Sequence, residues 1–314
     1  MDTANTPLSD RAATFATHRA RLFGIAYRML GSRAEAEDVV QEAYVRWHQS
    51  GEAKERADIR TPEAWLVTVT TRLAIDRLRE LKAERESYPG AWLPEPLVAP
   101  LGALGEDAQP EPVETHTPES VLEFSSDVST AFLLVLERLG PEERAAFLLR
   151  EVFDMDYREV AQMLGKSETT CRQLVHRAKE RVRQNRPRFE VSRAAHVKLL
   201  ERFVEAARGG NIAQLQALFA EDATFVGDGG GKVPALSRVI SGALRLARFY
   251  HVIARRYPGV FTYRVAEING MPGLLRFMNG KLESASTFVT DGQKILDIYT
   301  VRNPDKLAAI AVPG

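Results

Sequence analysis

The sequence predicts a multidomain protein, with two all-α domains followed by an α+β domain. Three observations predict it. Apolar residues recur at helical spacing over residues 14–82 and again over 121–186. Between these blocks, residues 83–120 turn rich in proline and glycine and lose all periodicity. From residue 194 onward, helices give way to strand-like runs parted by "NG" and "DG" turn signals. At 314 residues the chain is long enough for two domains or more.

In the first block, "RLFGIAYRML" is helical and Gly31 ends it. Ser32 opens "SRAEAEDVVQEAYVRW", with Glu35 three residues on, a capping-box pattern. Val40, Ala43, Tyr44 and Trp47 share one face of that helix. After a polar loop, Thr61 and Pro62 restart a helix as N-cap and first-turn proline. In the linker, "AWLPEPL" sets Trp92, Leu93 and Leu97 among prolines. A free linker gains nothing from such apolar groups, so this piece is expected to dock. The third block begins with "HVKLLERFVEAARGG" and "NIAQLQALFAED", two helices parted by a Gly-Gly stop. "ATFVG", "FTYRVAEI", "LLRFMN", "KLESASTFVT" and "KILDIYTVR" read as strands, with the helix "ALRLARFYHVIARRY" after the first.

Composition excludes several classes. Lys+Arg and Asp+Glu both number 42, so net charge points to no partner. A single cysteine rules out an internal disulfide and a cysteine-based zinc site. No run approaches the roughly 18 apolar residues of a membrane helix, and "MDTANTPLSDRAA" lacks the apolar core of a signal peptide. A cytoplasmic protein without metal or cofactor is expected.

The segment "DYREVAQMLGKSETTCRQLVHRAKERVR" carries the chemistry. Asp156 caps a helix with Glu159 at the third position. Gly165 supplies the tight turn and Ser167 caps the next helix. Val160, Ala161 and Leu164 face inward, as do Cys171, Leu174 and Ala178. This is a helix-turn-helix layout. Its second helix turns out Thr169, Thr170, Arg172, Gln173, His176 and Arg177, side chains suited to base edges and phosphates. Lys179, Arg181, Arg183, Arg186 and Arg188 follow as a basic tail. Cys171 reads as core filling rather than a reactive thiol.

"RLGPEERAAFLLREVFDMDYREVAQMLGKSETTCRQLVHRAKERV" resembles region 4 of bacterial sigma factors of the extracytoplasmic-function (ECF) group. "AEDVVQEAYVRW" and "TPEAWLVTVTTRLAIDRLR" resemble region 2 of the same proteins, in the same order and spacing. "WLPEPL", "DGGGK" and "NPDKL" look like the marks of a sigma J-like subgroup with a SnoaL-like, NTF2-like cone domain at the C-terminus. The resemblance implies an alternative sigma factor that binds core RNA polymerase, through its β′ and β subunits, and promoter DNA. Asp38, Gln41 and Glu42 match the polar positions that meet the β′ coiled coil. The candidates for the −10 element are Arg56, Arg60, Thr68, Thr71, Arg72 and Arg79. Thr71-Arg72 stands where many relatives have Arg-Asn, so the −10 sequence does not carry over. Ser167, Thr169, Thr170, Arg172, Gln173 and Arg177 match the positions that read the −35 element.

"GDGGGKV" suggests a phosphate loop and fails the template. Gly227 to Gly231 is one residue too short, Lys232 precedes Val233 rather than Ser or Thr, and Pro234 follows. A rim loop of the cone is the better reading, with Asp228 and Lys232 as opposite charges that pin it to another surface. The resemblance assigns a regulatory interdomain contact to Trp92, Leu93, Pro94, Glu95, Pro96 and Leu97. Asp228, Lys232, Asn303, Asp305, Lys306 and Leu307 belong to the same contact. SnoaL-like enzymes use Asp or His for proton transfer, and Asp228, His251, Glu267 and Asp297 are the acid–base candidates here. None forms a catalytic pair by spacing. The preferred reading is therefore a non-enzymatic domain that controls the sigma factor in cis, with room for a small molecule in the cone. The alternative is a helix-turn-helix regulator fused to a SnoaL-like isomerase, cyclase or ligand sensor. The region 2 pattern argues against it.

Overall fold

The computed structural model describes residues 8–50, 61–99, 128–185, 191–235 and 238–310. Two compact units emerge. Among the described residues, no helix is long and apolar enough to cross a membrane.

The helical unit opens with α1 (Leu8–Leu30) and α2 (Arg33–Gln49). Gly31 turns the chain between them in the left-handed region, its amide bonded to the Tyr27 carbonyl at 2.7 Å. Ser32 caps α2 by accepting from the Glu35 amide. Only this half of the expected capping box forms, because the Glu35 carboxylate is taken by Arg77 at 2.9 Å. Helix α3 (Pro62–Glu86) starts after Thr61 as its sequence predicts. Val40, Ala43 and Trp47 of α2 are buried, as are Leu66, Val67, Ala74 and Leu78 of α3 and the apolar stripe of α1. Tyr44 is half-buried edge-on to Phe15.

Residues 121–127 of the predicted second helical block lie outside the described residues, and helix α4 spans Thr130–Leu136. Helix α5 (Pro141–Phe147) runs on through one π-helical turn, Leu148–Val152. Helices α6 (Tyr157–Leu164) and α7 (Glu168–Asn185) complete the unit. Arg144 of α5 is almost wholly buried. It donates to the Met29 carbonyl in the last turn of α1 at 2.6 Å and pairs with Glu137 at 2.8 Å. A cation at a helix C-terminus satisfies carbonyls that have no intrahelical donor.

The second unit takes in the segment after α3, residues Ser126–Leu134 and the chain from Arg186. Its helices are α8 (Arg193–Gly209), α9 (Ile212–Leu218), α10 (Ala243–Arg256) and the short α11 (Pro304–Leu307). Its sheet joins seven strands in the order β1-β4-β5-β6-β7-β2-β3. They are β1 (Val98–Ala99), β2 (Phe219–Asp228), β3 (Ile240–Ser241), β4 (Phe261–Ile268), β5 (Met271–Met278), β6 (Lys281–Thr290) and β7 (Ile295–Val301). Neighbours run antiparallel except β2 and β7, which are parallel. The expected helix over "NIAQLQALFAED" stops at Leu218, because Phe219 already pairs with Ile295 of β7. The sheet is buried on both faces. One carries the cluster of Phe203, Leu218, Phe225, Leu246, Leu274 and Ile298 beneath α8, α9 and α10. The other carries Ile268, Leu275, Phe277, Val301 and Leu307, and it also holds Leu93 from the linker.

Candidate nucleic-acid interface and linker dock

The helix-turn-helix is built by short-range chemistry. Asp156 accepts from the Glu159 amide at 2.8 Å, and the Glu159 carboxylate accepts from the Asp156 amide at 3.1 Å. Gly165 closes α6 at φ 64° and ψ 37°, which lets the Lys166 amide reach the Ala161 carbonyl at 3.0 Å. Ser167 then caps α7 by accepting from the Thr170 amide at 3.1 Å. Cys171, Leu174, Val175, Ala178 and Val182 are buried. Burial holds the Cys171 thiol above its ordinary pKa, so it stays protonated and inert. Ser167, Thr169, Thr170, Arg172, Gln173, His176 and Arg177 all lie on the exposed face. Arg172 is held in place from two sides, with its guanidinium 4.4 Å from the Tyr157 ring centroid and paired with Glu168 at 3.0 Å. Lys179 and Arg181 of the basic tail pair with Glu151 and Glu143, while Arg186 and Arg188 lie outside the described residues.

On α2, Asp38, Gln41 and Glu42 are exposed on the face away from the core, and Val45 continues that face as an exposed apolar group. Arg56 and Arg60 lie outside the described residues. Thr68 is half-buried and donates to the Ala64 carbonyl at 2.7 Å, while Thr71 is fully buried. Arg72 and Arg79 are exposed but engaged. Arg72 donates to the Met163 carbonyl at 2.9 Å, at the C-terminal end of α6, and Arg79 pairs with Glu142 at 3.0 Å. Trp65 tilts against the buried Trp47, ring centroids 5.5 Å apart.

The linker dock centres on Asp228, which has no exposed surface. One carboxylate oxygen accepts from the Tyr88 hydroxyl at 2.6 Å and the Gly230 amide at 3.0 Å. The other accepts from the Leu93 amide at 3.0 Å and the Lys306 ammonium at 2.7 Å. Lys306 also donates to the Leu93 carbonyl and lies over the rings of Tyr88 and Trp92. Arg85 also lies over the Trp92 ring, 3.8 Å from its centroid. Burial pulls the Lys306 pKa down and Asp228 opposes that; burial and the Asp228 hydrogen bond push the Tyr88 hydroxyl up. Asn303 donates to the Tyr88 oxygen at 3.0 Å, and its backbone amide donates to the Asp228 carbonyl. Asp228 pairs with Lys306, and Lys232 pairs with Asp305.

The glycine run is explained by the same packing. A Cβ on Gly230 would sit 2.3 Å from the Asn303 amide nitrogen, and one on Gly229 would sit 2.4 Å from the Val233 carbonyl. Gly230 and Gly231 both have positive φ. The loop wraps a carboxylate and the tail, not a phosphate.

Leu93, Pro94, Glu95, Pro96 and Leu97 are all buried. Leu97 exchanges two bonds with Asn269, its amide to the Asn269 side chain and the Asn269 amide to its carbonyl, each 2.8 Å. Val98 and Ala99 then extend the sheet beside β4. Tyr88 and Asn269 were not among the sequence-derived residues. Asn269 belongs to an "NG" turn, which signalled a hairpin but not a clamp.

A cavity of about 350 Å³ opens on the other face of the sheet. None of Asp228, His251, Glu267 and Asp297 borders it. His251 contacts the Gly210 carbonyl, Glu267 pairs with Arg193, and Asp297 accepts from Thr224.

Residues 14–84 match the family Sigma-70 region 2, and residues 129–182 match Sigma-70, region 4. The ECF RNA polymerase sigma factor SigJ of Mycobacterium tuberculosis is 34% identical over 303 residues, 93% of this chain and 91% of that one. A probable ECF RNA polymerase sigma factor SigI of the same species is 30% identical over 298 residues, 94% of each chain. The crystal structure of Mycobacterium tuberculosis SigJ superposes with a TM-score of 0.72 at 32% identity. The match covers 95% of this chain and 98% of that one.

Proposed function

Because the chain belongs to the ECF RNA polymerase sigma factors, we propose that it brings core polymerase to a two-part promoter under the control of its own C-terminal domain. An alternative sigma factor directs core RNA polymerase to start transcription, and that is the function of this chain. In the proposal, Asp38, Gln41 and Glu42 meet the β′ coiled coil by charge and hydrogen bonding, with Val45 as an apolar contact between them. Ser167, Thr169, Thr170, Arg172, Gln173 and Arg177 read the −35 element, and Thr68, Arg72 and Arg79 serve the −10 element with Arg56 and Arg60. Arg72 and Arg79 must first leave their partners at Met163 and Glu142. The protein works in the cytoplasm with its polymerase.

Control in cis rests on one observation, the burial of Asp228 among donors drawn from the linker, the glycine loop and the tail. The linker leads from region 2 to region 4, so holding it on the C-terminal domain limits how far apart the two can move. Tethering keeps such a contact made even when it is weak. In this reading the C-terminal domain acts by binding: Asp228, His251, Glu267 and Asp297 stand off the cavity, and the cavity receives a small molecule. Run-off transcription with purified core enzyme on a promoter library tests the reading. Transcripts that appear only when the chain is added are expected, and output no higher than core alone would overturn it.

A further inference from the structure

The cone cavity is lined by eight aromatic side chains, among them Phe203, Phe225, Phe249, Tyr250 and Phe288. Protein interiors close-pack, and an apolar space of this size left open falls within the range of ligand sites. One end of the cavity is polar. There Glu283 lies between two guanidinium groups, Arg276 at 2.6 Å and Arg302. Two cations against one carboxylate leave one positive charge in surplus. Ser284 lines the same end, is 1% exposed and finds no hydrogen-bond partner for its hydroxyl among the described residues. The Arg302 Nε is likewise buried without a partner among the described residues. A buried donor left unsatisfied is destabilising, and an acceptor from a ligand would remove that cost.

We propose that this cavity binds a ring-containing organic anion, its rings among the aromatic side chains and its acidic group at Ser284, Arg302 and Arg276. The inference rests on the reading of the cone as a ligand site. It does not depend on transcription, so run-off activity can fail while binding holds. The site lies back to back with the linker dock. Gly227 borders the cavity while its neighbour Asp228 holds the linker, and Arg302 borders the cavity while its neighbour Asn303 holds Tyr88.

The test uses the full chain and two fluorescent probes with like rings, 8-anilinonaphthalene-1-sulfonate and the uncharged N-phenyl-1-naphthylamine. Saturable binding at one site is expected, with the anion at least tenfold tighter. Arg302→Gln should erase that preference and leave the neutral probe bound as before. Ile253→Trp, at the half-buried margin of the cavity on α10, should weaken both probes at least tenfold. Val252→Trp, on the exposed side of the same helix, should leave both unchanged and serves as the folding control. Equal affinity for the two probes would overturn the proposal. So would undiminished binding to Ile253→Trp, which would put the probes elsewhere.

Discussion

Lys306 and Asp228 form an ion pair of 2.7 Å across 78 residues of sequence, with the carboxylate wholly buried. Removing one partner of a buried pair costs about 3–5 kcal/mol, because the charge left behind has lost its counter-ion. Asp228 keeps three other donors, so Lys306→Met should cost about 3 kcal/mol, the lower end of that range. Hydrogen exchange in the full chain reads the effect, with faster exchange over residues 88–97. Exchange unchanged there would mean that the pair does not hold the linker. Adding Asp228→Asn should cost less than the sum of the two single changes, since both act on one interaction.

Tyr157 and Glu168 hold the Arg172 guanidinium in place. Arg172→Ala should cost about 1–3 kcal/mol of −35 binding if the guanidinium meets a base edge. Tyr157→Ala should cost a fraction of that, through loss of the stack. Cys171→Ala should leave DNA affinity alone and lower thermal stability, because the thiol only fills the core. Titration of a labelled −35 duplex at fixed salt separates the three. Equal affinity for Arg172→Ala and the parent chain would show that another face of α7 reads the element.

The buried ring of His196 provides a pH test. It is 1% exposed, neither nitrogen has a partner among the described residues, and burial pushes its pKa down to about 4. The unfolded chain takes up this proton near 6.5. Stability from the neutral ring is therefore full above pH 6.5 and drains as pH falls toward 4, by about 3 kcal/mol in all. His196→Leu should remove that part of the acid sensitivity. The check is the urea midpoint at pH 7 and pH 4.5 for both proteins, where the same drop in each would mean the ring is already charged in the fold.

How much of this was legible in the sequence follows from the range of each interaction. The helix-turn-helix was readable because Asp156, Glu159, Gly165 and Ser167 act within a few residues of one another. The linker dock was legible in its three motifs but not in its pairings. Its motifs stood out as misplaced apolar and glycine-rich pieces, yet the partners of Asp228 come from Tyr88, Leu93 and Lys306, and only the fold brings them together. On β6, alternation sets Ser284, Ser286 and Phe288 on one face, but the aromatic wall opposite them comes from α8 and α10. The carboxylate that matters in the cavity, Glu283, gave no signal by spacing.

Two truncations should move transcription in opposite directions. Ending the chain before Asn303 removes Asn303, Lys306 and Leu307, and with them the counter-ion of Asp228 and an apolar neighbour of Leu93. The C-terminal domain keeps its strands and its cavity, but the linker loses its clamp, so regions 2 and 4 are freer to reach both promoter elements and output should rise. Ending the chain near residue 194 is a different change. Leu93 and Leu97 then lose the sheet that buries them, including the Asn269 clamp and the strand pairing of Val98 with Ile268. An exposed apolar linker has no defined path, the spacing of the two DNA-reading domains is no longer set, and output should fall. Promoter-reporter activity of the full, tail-trimmed and domain-deleted chains, compared at matched protein levels, distinguishes these cases. Equal output from all three would reject control in cis and return weight to an independent role for the C-terminal domain.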